Sequence, residues 1–135
     1  MSEFKELCLE LENSIRASYE TGVSMDEAEK LASKFLYAQM QVSNELRKSD
    51  LDSRTRKSGL KAVRAAVYLE IIQTSEKKPT EAGIGAMIDV HEIVQSEQTA
   101  FDLSEVERDD LKRYFDIFSQ AHVHFRTIAK GSFGG

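Results

Sequence analysis

Seven of the chain's Lys and Arg residues fall in one stretch: Arg47, Lys48, Arg54, Arg56, Lys57, Lys61 and Arg64. Only Asp50 and Asp52 oppose them, so this stretch carries +5 and the remainder −10, within a net charge of −5. On a helix turning about 100° per residue, Arg54, Lys57, Lys61, Arg64 and Tyr68 lie within roughly 80° of arc. Arg47 joins them if the helix is unbroken. A line of cations every one to two turns suits a polyanion, because each cation neutralises a phosphate and releases its condensed counterions. Tyr68, at the end of the line, is placed to stack on an unpaired base. The competing reading is a solvated helix face whose cations pair with acids elsewhere on the chain.

The other reactive side chains do not assemble into a catalytic or metal pattern. His122 and His124 are two apart and point to different faces of a helix, and His91 stands alone. No Glu-x-x-His or His-x-x-x-His spacing occurs, which removes the di-iron bundle and zinc-helix signatures. His91 and His122 fall on apolar seams, where a hydrogen-bonded core or interface histidine is a simpler reading than a metal ligand. Gly83-Ile84-Gly85 lacks the Gly-Lys-Ser/Thr end of a phosphate loop. Cys8 sits on an apolar stripe with no histidine nearby in sequence, so nothing marks it as a nucleophile. Acids are abundant, but no pairing singles out an acid–base couple. The expectation is a protein without catalysis, metal or cofactor.

The elements that position the basic line are helices. The 135 residues contain one proline, 41% apolar residues and no alternating strand pattern; a fold of this length can bury roughly two-thirds of its unfolded surface. Apolar stripes and cap signals predict an all-α helical bundle of four to five helices, over 4–18, 26–46, 56–72, 82–100 and 106–129. Thr21-Gly22 ends the first. Ser24-Met25-Asp26-Glu27 is a capping-box pattern that opens the second, whose seam is Ala28, Leu31, Phe35, Ala38 and Val42. Ser49–Ser53 either breaks the chain or lies within a continuous helix. Leu60, Val63, Val67 and Ile71 form the next stripe, with Gly59 inside it.

Thr74 to Thr80 reads as a loop, with Pro79 and a capping Thr80 before a helix whose face is Ile84, Met87, His91, Val94 and Phe101. Ser104-Glu105-Val106-Glu107 is a second capping-box pattern. Leu111, Phe115, Phe118, His122 and Phe125 make the last seam. The organisation expected is one helical domain over 1–130 and a flexible tail over 131–135. Apolar runs are too short for a membrane span, no secretory leader pattern opens the chain, and a single cysteine suits a reducing cytoplasm.

The segment Arg56-Lys57-Ser58-Gly59-Leu60-Lys61-Ala62, with Tyr68 further along the same helix, resembles the basic motif of the UvsY recombination mediators of T-even-like phages. The family layout is also similar: comparable length, a short first helix, a long second region carrying the motif, a polar loop and a helical C-terminal half. Where the family has Lys-Ala-Arg and then a tyrosine pair, this chain has Lys61-Ala62-Val63-Arg64 and Tyr68 alone. Lys61 thus corresponds directly, and Arg64 and Tyr68 more loosely. The resemblance implies a homo-oligomeric ring assembled through the C-terminal helices. It also implies single-stranded DNA binding and help for a RecA-like recombinase in displacing single-strand-binding protein, without chemistry or cofactor.

The expected nucleic-acid-binding residues are therefore Arg54, Lys57, Lys61, Arg64 and Tyr68. The expected oligomerisation residues are Leu111, Phe115, Phe118 and Phe125, although a small domain needs much of such a seam for its own core. The rival reading is a helical structural or assembly protein of a phage: an adaptor, a chaperone or a small packaging subunit. Either would work in the cytoplasm, that of the host if phage-encoded.

Overall fold

A computed structural model describes residues 2–131. It contains four helices: α1 (Ser2–Thr21), α2 (Met25–Thr74), α3 (Glu81–Asp89) and α4 (Glu92–Ala129). No strand occurs among the described residues, as the all-helical reading requires. None of the helices is long and apolar enough to cross a membrane. Of the expected tail over 131–135, all but Gly131 lies outside the described residues.

The elements differ from the expected ones in two places. The segments expected over 26–46 and 56–72 are one helix, α2, continuous through Ser49–Ser53. This stretch contains capping residues but no glycine or proline to force the chain out of helical geometry. Its acids are instead engaged along the helix, Asp50 with Arg54 at 3.1 Å and Asp52 with Arg56 at 3.2 Å. Each such i,i+4 pair favours the helix by a few tenths of a kcal/mol. Ser53 is buried.

The second correction concerns the segments expected over 82–100 and 106–129. The helix break falls at Val90–His91, and α4 runs through Ser104 without interruption. Ser104 is not a cap. It is buried, and its hydroxyl donates back to the Phe101 carbonyl at 2.6 Å, a bond compatible with a helix interior. At the actual break, the His91 N–H donates to the Ile88 carbonyl at 3.1 Å, closing α3. The Ile93 N–H then donates to His91 Nδ1 at 3.2 Å, so the imidazole caps α4. Histidine lies outside the usual Ser/Thr/Asp/Asn cap repertoire, which is why the sequence carries no conspicuous signal there. His91, expected on an apolar seam, is a helix cap.

The other caps follow their signals. Gly22 takes φ 77° after α1, a left-handed conformation that favours glycine. Ser24 Oγ accepts the Glu27 N–H at 3.2 Å, and Thr80 Oγ1 accepts the Gly83 N–H at 3.0 Å.

The chain divides into two compact units. Unit 1 comprises Met1–Leu46 and Asp110–Gly135, and unit 2 comprises Arg47–Asp109. The core of unit 1 is Cys8, Leu11, Ala28, Ala32, Phe35, Ala38, Val42, Leu111, Phe118, Ala121 and Phe125. Phe35 lies 5.7 Å from Phe118 and 5.6 Å from Phe125, ring centre to ring centre. The alanines on α2 leave the room that these rings fill. His122, half-buried, donates from Nδ1 to the Ala32 carbonyl at 2.8 Å, so it is hydrogen-bonded within its own unit. The core of unit 2 is aliphatic: Leu60, Val67, Ile71, Ile84, Ile88 and Val94, with Val63, Tyr68, Ile72 and Phe101 packed against it. Met87, expected on that face, is exposed.

Candidate nucleic-acid interface

All five residues of the expected nucleic-acid site lie on α2 within unit 2. Because α2 is unbroken, Arg47 shares their helix, as a continuous element requires. The apolar stripe runs beside the basic line, since Leu60, Val67 and Ile71 are buried while Arg64 and Tyr68 are only half-buried. Tyr68 packs against the aliphatic cluster. Part of its surface is thus taken up by the core, and the remainder is what a base could stack on.

The cations of the line fall into two groups. Lys57 and Lys61 are exposed and make no ion pair among the described residues, and the same holds for Arg47. Arg54, Arg56 and Arg64 are engaged. Arg54 Nη2 lies 3.1 Å from Asp50 Oδ2, Arg56 Nε 3.2 Å from Asp52 Oδ2, and Arg64 Nη2 2.9 Å from Asp89 Oδ1. These side chains keep a large share of their surface in water, and pairs of this kind contribute only about 0–1 kcal/mol. A phosphate can therefore compete for the arginines. The two lysines are available without displacing anything.

Two residues of this region carry no signal in the sequence. Asp89, at the last residue of α3, reaches Arg64 from 25 positions away. A carboxylate at a helix C-terminus opposes the helix dipole, and Arg64 offsets this. Arg108, set among acids in the sequence, comes from α4 to within 3.7 Å of Asp50, so that acid faces two guanidinium groups. Contacts between residues this far apart are products of packing, and no local spacing announces them.

The four residues expected to serve oligomerisation all pack in unit 1. Leu111, Phe118 and Phe125 belong to its buried core, and Phe115 packs against it half-buried. The exposed apolar side chains of that unit lie elsewhere, at Leu7, Leu9 and Tyr19 on α1, Met25, Leu36, Tyr37 and Met40 on α2 and Val123 on α4.

No group of three or more His, Cys, Asp or Glu residues that could hold a metal occurs among the described residues. Cys8 is buried, and burial pushes its thiol up to about 11, so little of the nucleophilic thiolate is present at neutral pH. No family model matches the chain, and no curated protein or solved structure is significantly similar to it.

Proposed function

We propose that this chain is a non-catalytic protein that holds single-stranded DNA in phage-type recombination or replication. In this reading it acts as a homo-oligomer in the cytoplasm of the host cell and assists the loading of a RecA-like recombinase against single-strand-binding protein. The observation that carries the proposal is the pair of exposed, unpaired lysines, Lys57 and Lys61, in line with Arg54 and Arg64 on one uninterrupted helix. One rigid element thus offers four cations on one side, within an otherwise acidic chain. The recombinase and single-strand-binding-protein partners rest on the resemblance of Arg56–Ala62 to the UvsY motif. Contacts to phosphate carry little sequence information, so this line alone tolerates many sequences.

The test is a titration of labelled single-stranded DNA at about 50 and about 200 mM salt. The logarithm of the affinity falls with the logarithm of salt by about 0.7 for each phosphate neutralised on a single strand. Lys57→Ala with Lys61→Ala flattens that slope by roughly 1.4 and lowers the affinity, with helicity unchanged. These two are the positions of choice because neither holds a structural partner, whereas Arg64 holds Asp89. Equal binding by the double variant at low salt would make the line a solvated face.

A second reading, the helical assembly protein, draws on the exposed Leu36, Tyr37 and Met40, neighbours on one side of α2. A parent protein that binds no single-stranded DNA at low salt would leave that reading in place.

A further inference from the structure

Beside Arg64 lies a cleft of about 430 Å³, lined by Arg64, Asp89, Val94, Gln95, Gln98 and Thr99. All six residues belong to unit 2. The volume is within the range of small-ligand pockets, roughly 300–1,000 Å³. Its lining is polar, with buried Val94 as the apolar element. Gln95, Gln98 and Thr99 are three and four apart on α4 and so share one face of that helix.

The polar atoms of the cleft are incompletely used. Gln98 Nε2 donates to Asp102 Oδ1 at 3.0 Å, which orients the amide and leaves its Oε1 as an acceptor. The Gln95 amide and the Thr99 hydroxyl have no side-chain hydrogen-bond partner among the described residues. The Arg64 guanidinium uses Nη2 toward Asp89, and its remaining N–H groups are not committed to another residue. The cleft thus offers a carboxamide with both donor and acceptor, a second amide acceptor, and a cation that also belongs to the phosphate-binding line.

We infer that this cleft receives an amino-bearing base of the bound strand, tested below with adenine, with Gln95 and Gln98 reading its edge while Arg64 and Lys61 hold the adjoining backbone. The inference rests on the single-stranded-DNA reading and deepens it by naming where a base enters. A carboxamide complements adenine in both directions, because its oxygen accepts from the exocyclic amino group while its N–H₂ donates to the neighbouring ring nitrogen. Cytosine presents the same pair of groups, whereas thymine lacks that amino donor. The line of cations supplies affinity without regard to sequence, and the cleft adds a preference at one nucleotide in the strand. Two separable quantities follow, a salt slope set by α2 and a base discrimination set by α4.

The experiment compares three labelled strands of equal length: oligothymidine, the same strand with adenines at intervals, and that strand with purine lacking the 6-amino group in place of adenine. Purine retains the ring system for stacking and loses the amino donor, so it separates edge reading from stacking. The adenine strand binds roughly five- to tenfold tighter than the purine strand. Gln95→Ala with Gln98→Ala removes that ratio and leaves the salt slope and helicity unchanged, whereas Lys57→Ala with Lys61→Ala weakens all three strands alike. Equal affinity of the parent for the adenine and purine strands, or discrimination that survives in the glutamine variant, overturns the cleft while leaving DNA binding intact. Absence of binding to any strand overturns the underlying reading as well. Deoxyadenosine monophosphate alone, lacking the neighbouring phosphates, does not displace the labelled strand at micromolar concentration. If it does, the cleft is a site for free nucleotides, and the inference of a strand-held base fails.

Discussion

The two units of the chain differ in the cores that hold their helices together. Unit 1 is centred on Phe35, Phe118 and Phe125, each almost completely excluded from solvent, with alanines on α2 facing them. Unit 2 has a smaller aliphatic core; ion pairs join helices in both units, Arg113 to Glu12 in unit 1, and Arg64 to Asp89 and the half-buried Arg108 to Asp50 in unit 2. Aromatic burial contributes strongly per residue, whereas exposed ion pairs contribute little and weaken with salt. The unit with the more modest core is also the one that carries the basic line. Cations at Lys57, Lys61 and Arg64 must stay near water to meet a ligand, so the faces of α2 that bear them are withheld from the core. The difference teaches that unit 1 is a packing solution, and that unit 2 accepts a smaller core together with a charged surface.

The largest effect expected of breaking this contrast is in unit 1. Phe118→Ala removes a fully buried ring that touches Phe35 and Tyr114, and should cost about 3–5 kcal/mol in urea denaturation. In unit 2, Ile84→Ala deletes the most buried side chain of α3. The expected cost is about 2–4 kcal/mol, read as faster amide exchange over residues 81–89. A loss at Ile84 as large as that at Phe118 would erase the contrast between the cores.

A smaller change sharpens it. Gly59 lies inside α2 in unit 2, and a Cβ there would meet nothing within 4 Å. Gly59→Ala should therefore stabilise the protein by about 1 kcal/mol through helix propensity, raising the denaturation midpoint. A destabilised variant would mean that the helix face at Gly59 is occupied.

The smallest effect is confined to alkaline pH. The Cys8 thiol is raised from 9.0 to about 11 by burial in unit 1. Between these values the unfolded chain loses the thiol proton and the folded chain keeps it. The folded state then binds more protons, so stability declines as pH rises from 9 to about 11. Cys8→Ala should remove this component of the decline, and at neutral pH the native thiol should react slowly with iodoacetamide. Alkylation at the rate of an exposed thiol would contradict the burial of Cys8.

Helical character, the buried stripes and three of the caps are determined by the sequence alone, because each depends on residues within a turn or two of one another. Phe35, Val42, Leu60 and Val67 repeat at helical spacing, and Gly22, Ser24 and Thr80 bond to backbone groups three or four residues away. The basic line was legible for the same reason, since Arg54, Lys57, Lys61 and Arg64 share a face of any helix that contains them. Tertiary packing decided what local spacing cannot express. Ser49–Ser53 and Ser104 have cap-forming side chains, yet a cap forms only where the backbone leaves the helix, and in both places ion pairs or burial keep it helical. The break at Val90–His91 uses an imidazole cap, available only once α3 and α4 diverge there. The pairing of Arg64 with Asp89, and the amide-lined cleft beside it, bring together residues on three helices. Which acid neutralises which cation depends on distance in space, and distance in space is fixed by packing.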